Sequence, residues 1–118
     1  QDGGGLFAVG SQVFVSQSAN TASEPTVAVG RGEVAVAWRD SKGGAGSEIY
    51  FRRVDWDGGF RGAEVRVSNL NDAGGDSYIS LSPSLVWNGD GYAAGWADER
   101  ENPGVASAIY MTALWCAP

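Results

Sequence analysis

The chain repeats itself, and that restricts its fold more than any single residue does. Gly10-Ser11-Gln12-Val13-Phe14-Val15-Ser16 lines up with Gly62-Ala63-Glu64-Val65-Arg66-Val67-Ser68, an offset of 52. Glu24-Pro25-Thr26-Val27-Ala28-Val29 matches Ser82-Pro83-Ser84-Leu85-Val86-Trp87, an offset of 58, and Trp38-Arg39-Asp40 matches Trp96-Ala97-Asp98 at the same offset. Ile49-Tyr50-Phe51 matches Ile109-Tyr110-Met111 at 60. The offset grows only inside polar, glycine-rich segments, where insertions are tolerated. Asp2-Gly3-Gly4 echoes Asp57-Gly58-Gly59, so the chain divides into copies 1–61 and 62–118.

Each copy reads as four short strands: 12–16, 25–29, 33–39 and 48–54 in the first, and 64–68, 83–87, 91–97 and 108–114 in the second. Val13/Val15 and Val65/Val67 alternate with Phe14 and Arg66, the period of two that marks a half-buried strand. The second and third strands are joined by Gly30-Arg31-Gly32 and Asn88-Gly89-Asp90-Gly91, tight turns that call for positive φ. Ala35, Ala37, Ala93 and Gly95 alternate with larger residues and would let a neighbouring sheet approach closely. No helix of ordinary length is expected. The 18 glycines and five tryptophans suit a turn-rich, all-β protein. Four antiparallel strands repeated every 55 residues or so give the β-propeller as the expected fold, with two blades in this chain. A single eight-stranded sandwich or barrel of two four-stranded halves is the alternative.

The second copy also carries a resemblance. Trp87-Asn88-Gly89-Asp90-Gly91-Tyr92, then Trp96-Ala97-Asp98-Glu99-Arg100 and Ile109-Tyr110, resembles the W-N-G-x-x-Y…W-x-D-x-R…I-Y repeat of secreted bacterial β-propellers, loosely grouped with sialidase-like and TolB-like repeats. The first copy departs from it: Val29 stands for the Trp, Val34 for the Tyr and Lys42 for the Arg. The sialidase Asp-box is absent, so the resemblance implies fold and not sialidase chemistry.

Two blades do not close a ring, which takes about 4–8. Each blade is apolar on both faces, so a lone pair would leave two faces and two strand edges bare. A homo-oligomer is therefore expected, with six blades from a trimer favoured over four or eight; the other option is that the chain is part of a longer polypeptide.

Charge and composition exclude several functions. At a net charge of −6, with eight Lys and Arg residues, no basic stripe for nucleic acid can be assembled. No apolar run approaches the ~20 residues of a membrane span, so no membrane insertion is expected. With no histidine, the Ser-His-Asp and Cys-His sites and His-held metals are ruled out. Asp98, Glu99 and Glu101 sit on one loop, awkward for a pair of carboxylates facing each other across a sugar. The expectation is a protein that is not an enzyme and holds neither cofactor nor metal. Asp55-x-Asp57-Gly58 offers two of the ~6–8 oxygens that Ca²⁺ needs. Cys116, the one cysteine, reads as a free thiol or an inter-chain bridge. A start at Gln1-Asp2 fits removal of a leader or of a tag, and the expected location is secreted or cell-surface.

Ligand contacts are expected where the strand connectors gather at one end. Trp56 and Trp87 would stack on a sugar ring, with Asp57, Asn88, Asp90 and Arg31 bonding its hydroxyls, the aromatic-polar mixture that carbohydrate recognition uses. Trp38 and Trp96 read as core pillars, and Asp40 and Asp98 as turn-capping carboxylates. The expected function is a non-enzymatic glycan-binding module, a lectin or adhesin. The alternative is a scaffold docking an envelope protein, with the loop 69–81 as a contact.

Overall fold

Valine, alanine and aromatic residues alternating in runs of eight or nine, broken by glycine turns, leave the chain little choice but hairpins. The computed structural model describes residues 5–43, 46–68 and 78–116. It contains β1 (Ala22–Gly30), β2 (Glu33–Asp40), β3 (Glu48–Asp55), β4 (Val65–Arg66), β5 (Ser80–Trp87), β6 (Tyr92–Asn102) and β7 (Ala106–Leu114), with no helix among the described residues. The protein is all-β, with two antiparallel sheets ordered β1-β2-β3-β4 and β5-β6-β7. Gly32, at φ 69°, closes the β1–β2 turn. In the β5–β6 turn the Asn88 side-chain oxygen accepts the backbone N–H groups of Asp90 and Gly91, both at 2.9 Å.

The strand pairing departs from the repeat in an informative way. Residues 64–68 were expected to open the second sheet; instead Val65 and Arg66 pair with Phe51 and Tyr50 and complete the first. The four-stranded sheet therefore runs past the 61/62 boundary of the repeat. Residues 12–16, expected as a strand, pair with no strand among the described residues. The reason is local: β3 is the partner of 65–66, and the matching edge for 12–16 would be a β7, which lies at the far side of the other sheet. Pro25 and Pro83, expected at strand starts, sit inside β1 and β5, where the register breaks. Glu24 (φ 55°) and Ser82 (φ 54°) form these breaks, and an edge-strand irregularity is where proline loses no ladder bond. The loop 69–81 falls largely on residues outside the described ones.

The two sheets stack through non-equivalent faces. The first contributes Ala35, Ala37, Ile49 and Phe51, and the second Leu85, Tyr92, Ala94 and Trp96, with Val67 added from beyond β4. Under the offset of 58, Ala35 corresponds to Ala93 and Ala94 to Val36, so one face of the first sheet meets the opposite face of the second. The stack is head to tail. Its outer faces consequently expose residues whose repeat equivalents are covered. Ile49 and Phe51 are 0% and 6% exposed, against 80% and 72% for Ile109 and Met111. Leu85 is 8% exposed, against 63% for Val27.

Candidate functional site

The hairpin turns and the connector after β3 gather at one end of the sheets, where a cleft of about 670 Å³ opens between them. Trp87, Tyr92 and Trp115 supply its aromatic wall, and Arg31, Arg53 and Asp90 its polar groups. A cleft of this size accommodates a small organic ligand. Tyr92 lies edge-on to both Trp87 (4.9 Å between centroids) and Phe51 of the facing sheet (5.5 Å), so the wall is braced from both sides.

The floor is a charged network that the strand periodicity does not announce. Glu33, at the start of β2, is buried. One of its oxygens accepts from Arg53 and Arg61, both at 3.2 Å, and the other from the Tyr92 hydroxyl at 2.8 Å. Arg61 also pairs with Asp55. Burial, and next the hydrogen bond donated to the Glu33 carboxylate, push the Tyr92 phenol far above its ordinary range. The carboxylate thus anchors two guanidinium groups beside the cleft and ties them to the Tyr92 hydroxyl of the facing sheet.

A second polar seam joins the sheets at the opposite end. Ser80 donates its backbone N–H to Ser47 (2.9 Å), and the Ser68 hydroxyl donates to buried Glu48 (2.6 Å), which also pairs with Arg66 at 3.1 Å. Next to it lies a module that recurs in both copies. The Trp38 and Trp96 indole N–H groups donate to Asp40 and Asp98, both at 3.0 Å. The same carboxylates accept the backbone N–H of Lys42 (2.9 Å) and Arg100 (2.8 Å), capping the turn that follows. Each Trp stacks on the Tyr of the next strand, Tyr50 or Tyr110, and a cation covers that Tyr: Lys42 Nζ at 4.7 Å, Arg100 at 3.8 Å. Burial is the largest influence on Asp98 and would raise its pKa. Arg100, Trp96 and Ser80 together outweigh it and hold the group at about 2. Asp40 and Asp98 are interior struts with no face turned to solvent.

Of the six residues expected to bind ligand, the structure brings Arg31, Trp87 and Asp90 to the cleft. Asn88 stands in the adjoining turn, its side-chain oxygen engaged with the backbone. Trp56 is exposed on the neighbouring connector, outside the cleft lining, and the Asp57 carboxylate there accepts the Gly59 N–H at 3.0 Å. Cys116 is exposed at the cleft rim. Glu33, Arg53 and Trp115 were not singled out from the sequence, and Tyr92 only as the tyrosine of the repeat motif. A signal existed: Glu33 stands opposite Gly91 in the repeat, and Tyr92 opposite Val34, so the network occupies positions where the copies differ. Among the described residues no three His, Cys, Asp or Glu side chains converge as a metal site. No family model, no curated protein and no solved structure matches the chain.

Proposed function

We propose that this chain supplies two blades of a β-propeller whose inter-blade cleft binds carbohydrate without transforming it, in a secreted protein of the kind its repeat resembles. The supporting observation is the convergence, between the two sheets, of the Trp87–Tyr92 wall with Arg31, Arg53 and Asp90 over a floor fixed by Glu33. An indole face suits the C–H side of a sugar ring, while guanidinium and carboxylate groups suit vicinal hydroxyls. The head-to-tail stack, with apolar outer faces, supports the propeller over a two-sheet sandwich, whose outer faces would be polar. Closure by copies of the chain, three for six blades, gives one such cleft per chain, and multivalency offsets weak single sites. No observation among the described residues favours the scaffold reading.

Titration with a panel of mono- and oligosaccharides, read by tryptophan fluorescence, tests the proposal. A saturable spectral change is expected. Trp87→Ala weakens it by about tenfold or more, the loss of one stacked ring at ~1.5 kcal/mol, and Trp56→Ala leaves it nearly unchanged. A flat response across the panel removes the carbohydrate reading.

A further inference from the structure

The internal repeat and the β3–β4 pairing together specify how one chain meets the next. Val65 and Arg66 cap the free edge of β3 and close the first sheet at four strands. The second sheet has three, and the edge of β7 carries no partner among the described residues. The repeat equivalents of Val65 and Arg66 are Val13 and Phe14, and those of Phe51 and Tyr50 are Met111 and Tyr110. We infer that residues 12–16 of a second copy add to β7 as its fourth strand, antiparallel, with Val13 opposite Met111 and Phe14 opposite Tyr110. This rests on the two-blade reading and names the partner that completes it.

Three observations carry the assignment. The donor segment is already held in place. Lys42 donates to the Ser16 carbonyl at 3.2 Å, Arg52 donates to Gln17 at 3.1 Å, and Val13 lies against Gly58. These contacts lay it along the outer face of the first sheet. The faces that would meet are both apolar: Ile109, Met111 and Val86 on one copy, Val27 and Val29 on the other, all exposed in a single chain.

The third observation is a matched change of chemistry between the seam inside the chain and the seam proposed between chains. Inside, Glu48 meets Arg66 and the Ser68 hydroxyl, and Glu33 meets Tyr92 and Arg53. At the equivalent positions between chains stand Ala108 with Phe14 and Ser16, and Gly91 with Val34 and Ala113. The four charges Glu48, Arg66, Glu33 and Arg53 are thus each replaced together with their partners. A β4-type strand carrying Arg66 would bury its cation against Ala108, and Phe14 would face Glu48 if the seams were exchanged. Unpaired buried charge is costly, so the two seams exclude each other and fix the order of sheets around a ring.

Cross-linking tests register and partner together. In a Cys116→Ser background, Val13→Cys with Met111→Cys places two thiols on directly opposed positions, within reach of a bridge on small adjustment. Mild oxidation is expected to convert most of the protein to covalent multimers on a non-reducing denaturing gel. Val13→Cys with Val105→Cys, at the far tip of the β6–β7 hairpin, stays monomeric. A bridge within one chain, equal yields from the two pairs, or monomer alone while the far-ultraviolet spectrum stays native overturns the inference. If the double variant does not fold, Phe14→Asp decides: it should reduce the native mass to one chain, and an unchanged mass refutes strand donation. Cross-linking does not depend on sugar. Covalent multimers without carbohydrate binding leave this interface standing and remove the binding function; binding without multimers does the reverse.

Discussion

Replacing Asp98 by Asn separates a strut from a ligand-binding carboxylate. Asp98 is fully buried, with indole, guanidinium, hydroxyl and backbone donors all directed at it. Its pKa in the folded chain is about 2, against 3.8 for the free group. The depressed value means that ionised Asp98 stabilises the fold above pH ~4, and that this contribution is lost as pH falls through the folded-state value. A depression of this size corresponds to roughly 2 kcal/mol at neutral pH, most of it lost by pH 2. Asp98→Asn should cost at least that much at neutral pH, since an amide presents N–H where a donor already points; ~3 kcal/mol is expected. Urea unfolding of wild type and variant at pH 7, 4 and 3, at one fixed protein concentration, measures the difference directly. The deficit should shrink as pH falls. A variant as stable as wild type at pH 7, or a deficit indifferent to pH, refutes the structural role of the Trp-x-Asp module.

Tyr92→Phe deletes the hydroxyl that donates to Glu33 and leaves a buried carboxylate oxygen short of a partner; a loss of ~1–2 kcal/mol in urea unfolding is expected. Gly91→Ala would place a Cβ 2.6 Å from the Leu114 carbonyl oxygen, a backbone atom that cannot step aside cheaply. It should lower the thermal midpoint by several degrees, whereas Gly10→Ala, in open space, should not. Met111→Arg, on an exposed face of a single chain, is expected to keep the monomer's circular dichroism while abolishing any assembly seen by light scattering.

The repeat made the positions of all seven described strands legible to within about five residues, because alternation and glycine turns act locally. β6 and β7 reach further than expected, to Asn102 and back from Ala106, because their hairpin continues beyond a register break after Asp98. The fate of 12–16 was not legible: Val13 and Val15 carry a strand's alternation, but a strand also needs an edge, and only tertiary structure shows where edges lie. The same limit applied to the cleft. Arg31, Trp87 and Asp90 were expected together because turns at one end of a hairpin share a location, and they line the cleft. Glu33 looks like an ordinary strand residue, and Tyr92 like a repeat-motif tyrosine, until the facing sheet brings them within 2.8 Å. Trp56 shows the converse, since an aromatic on the right connector still stands outside the cleft.

The native mass of the protein, measured by light scattering across a hundredfold range of concentration, tests most directly whether bare sheet flanks are covered by further copies. A single species of two to four chains, with three preferred, is the predicted result. A monodisperse single chain at every concentration, with Ile109 and Met111 left in water, would contradict it.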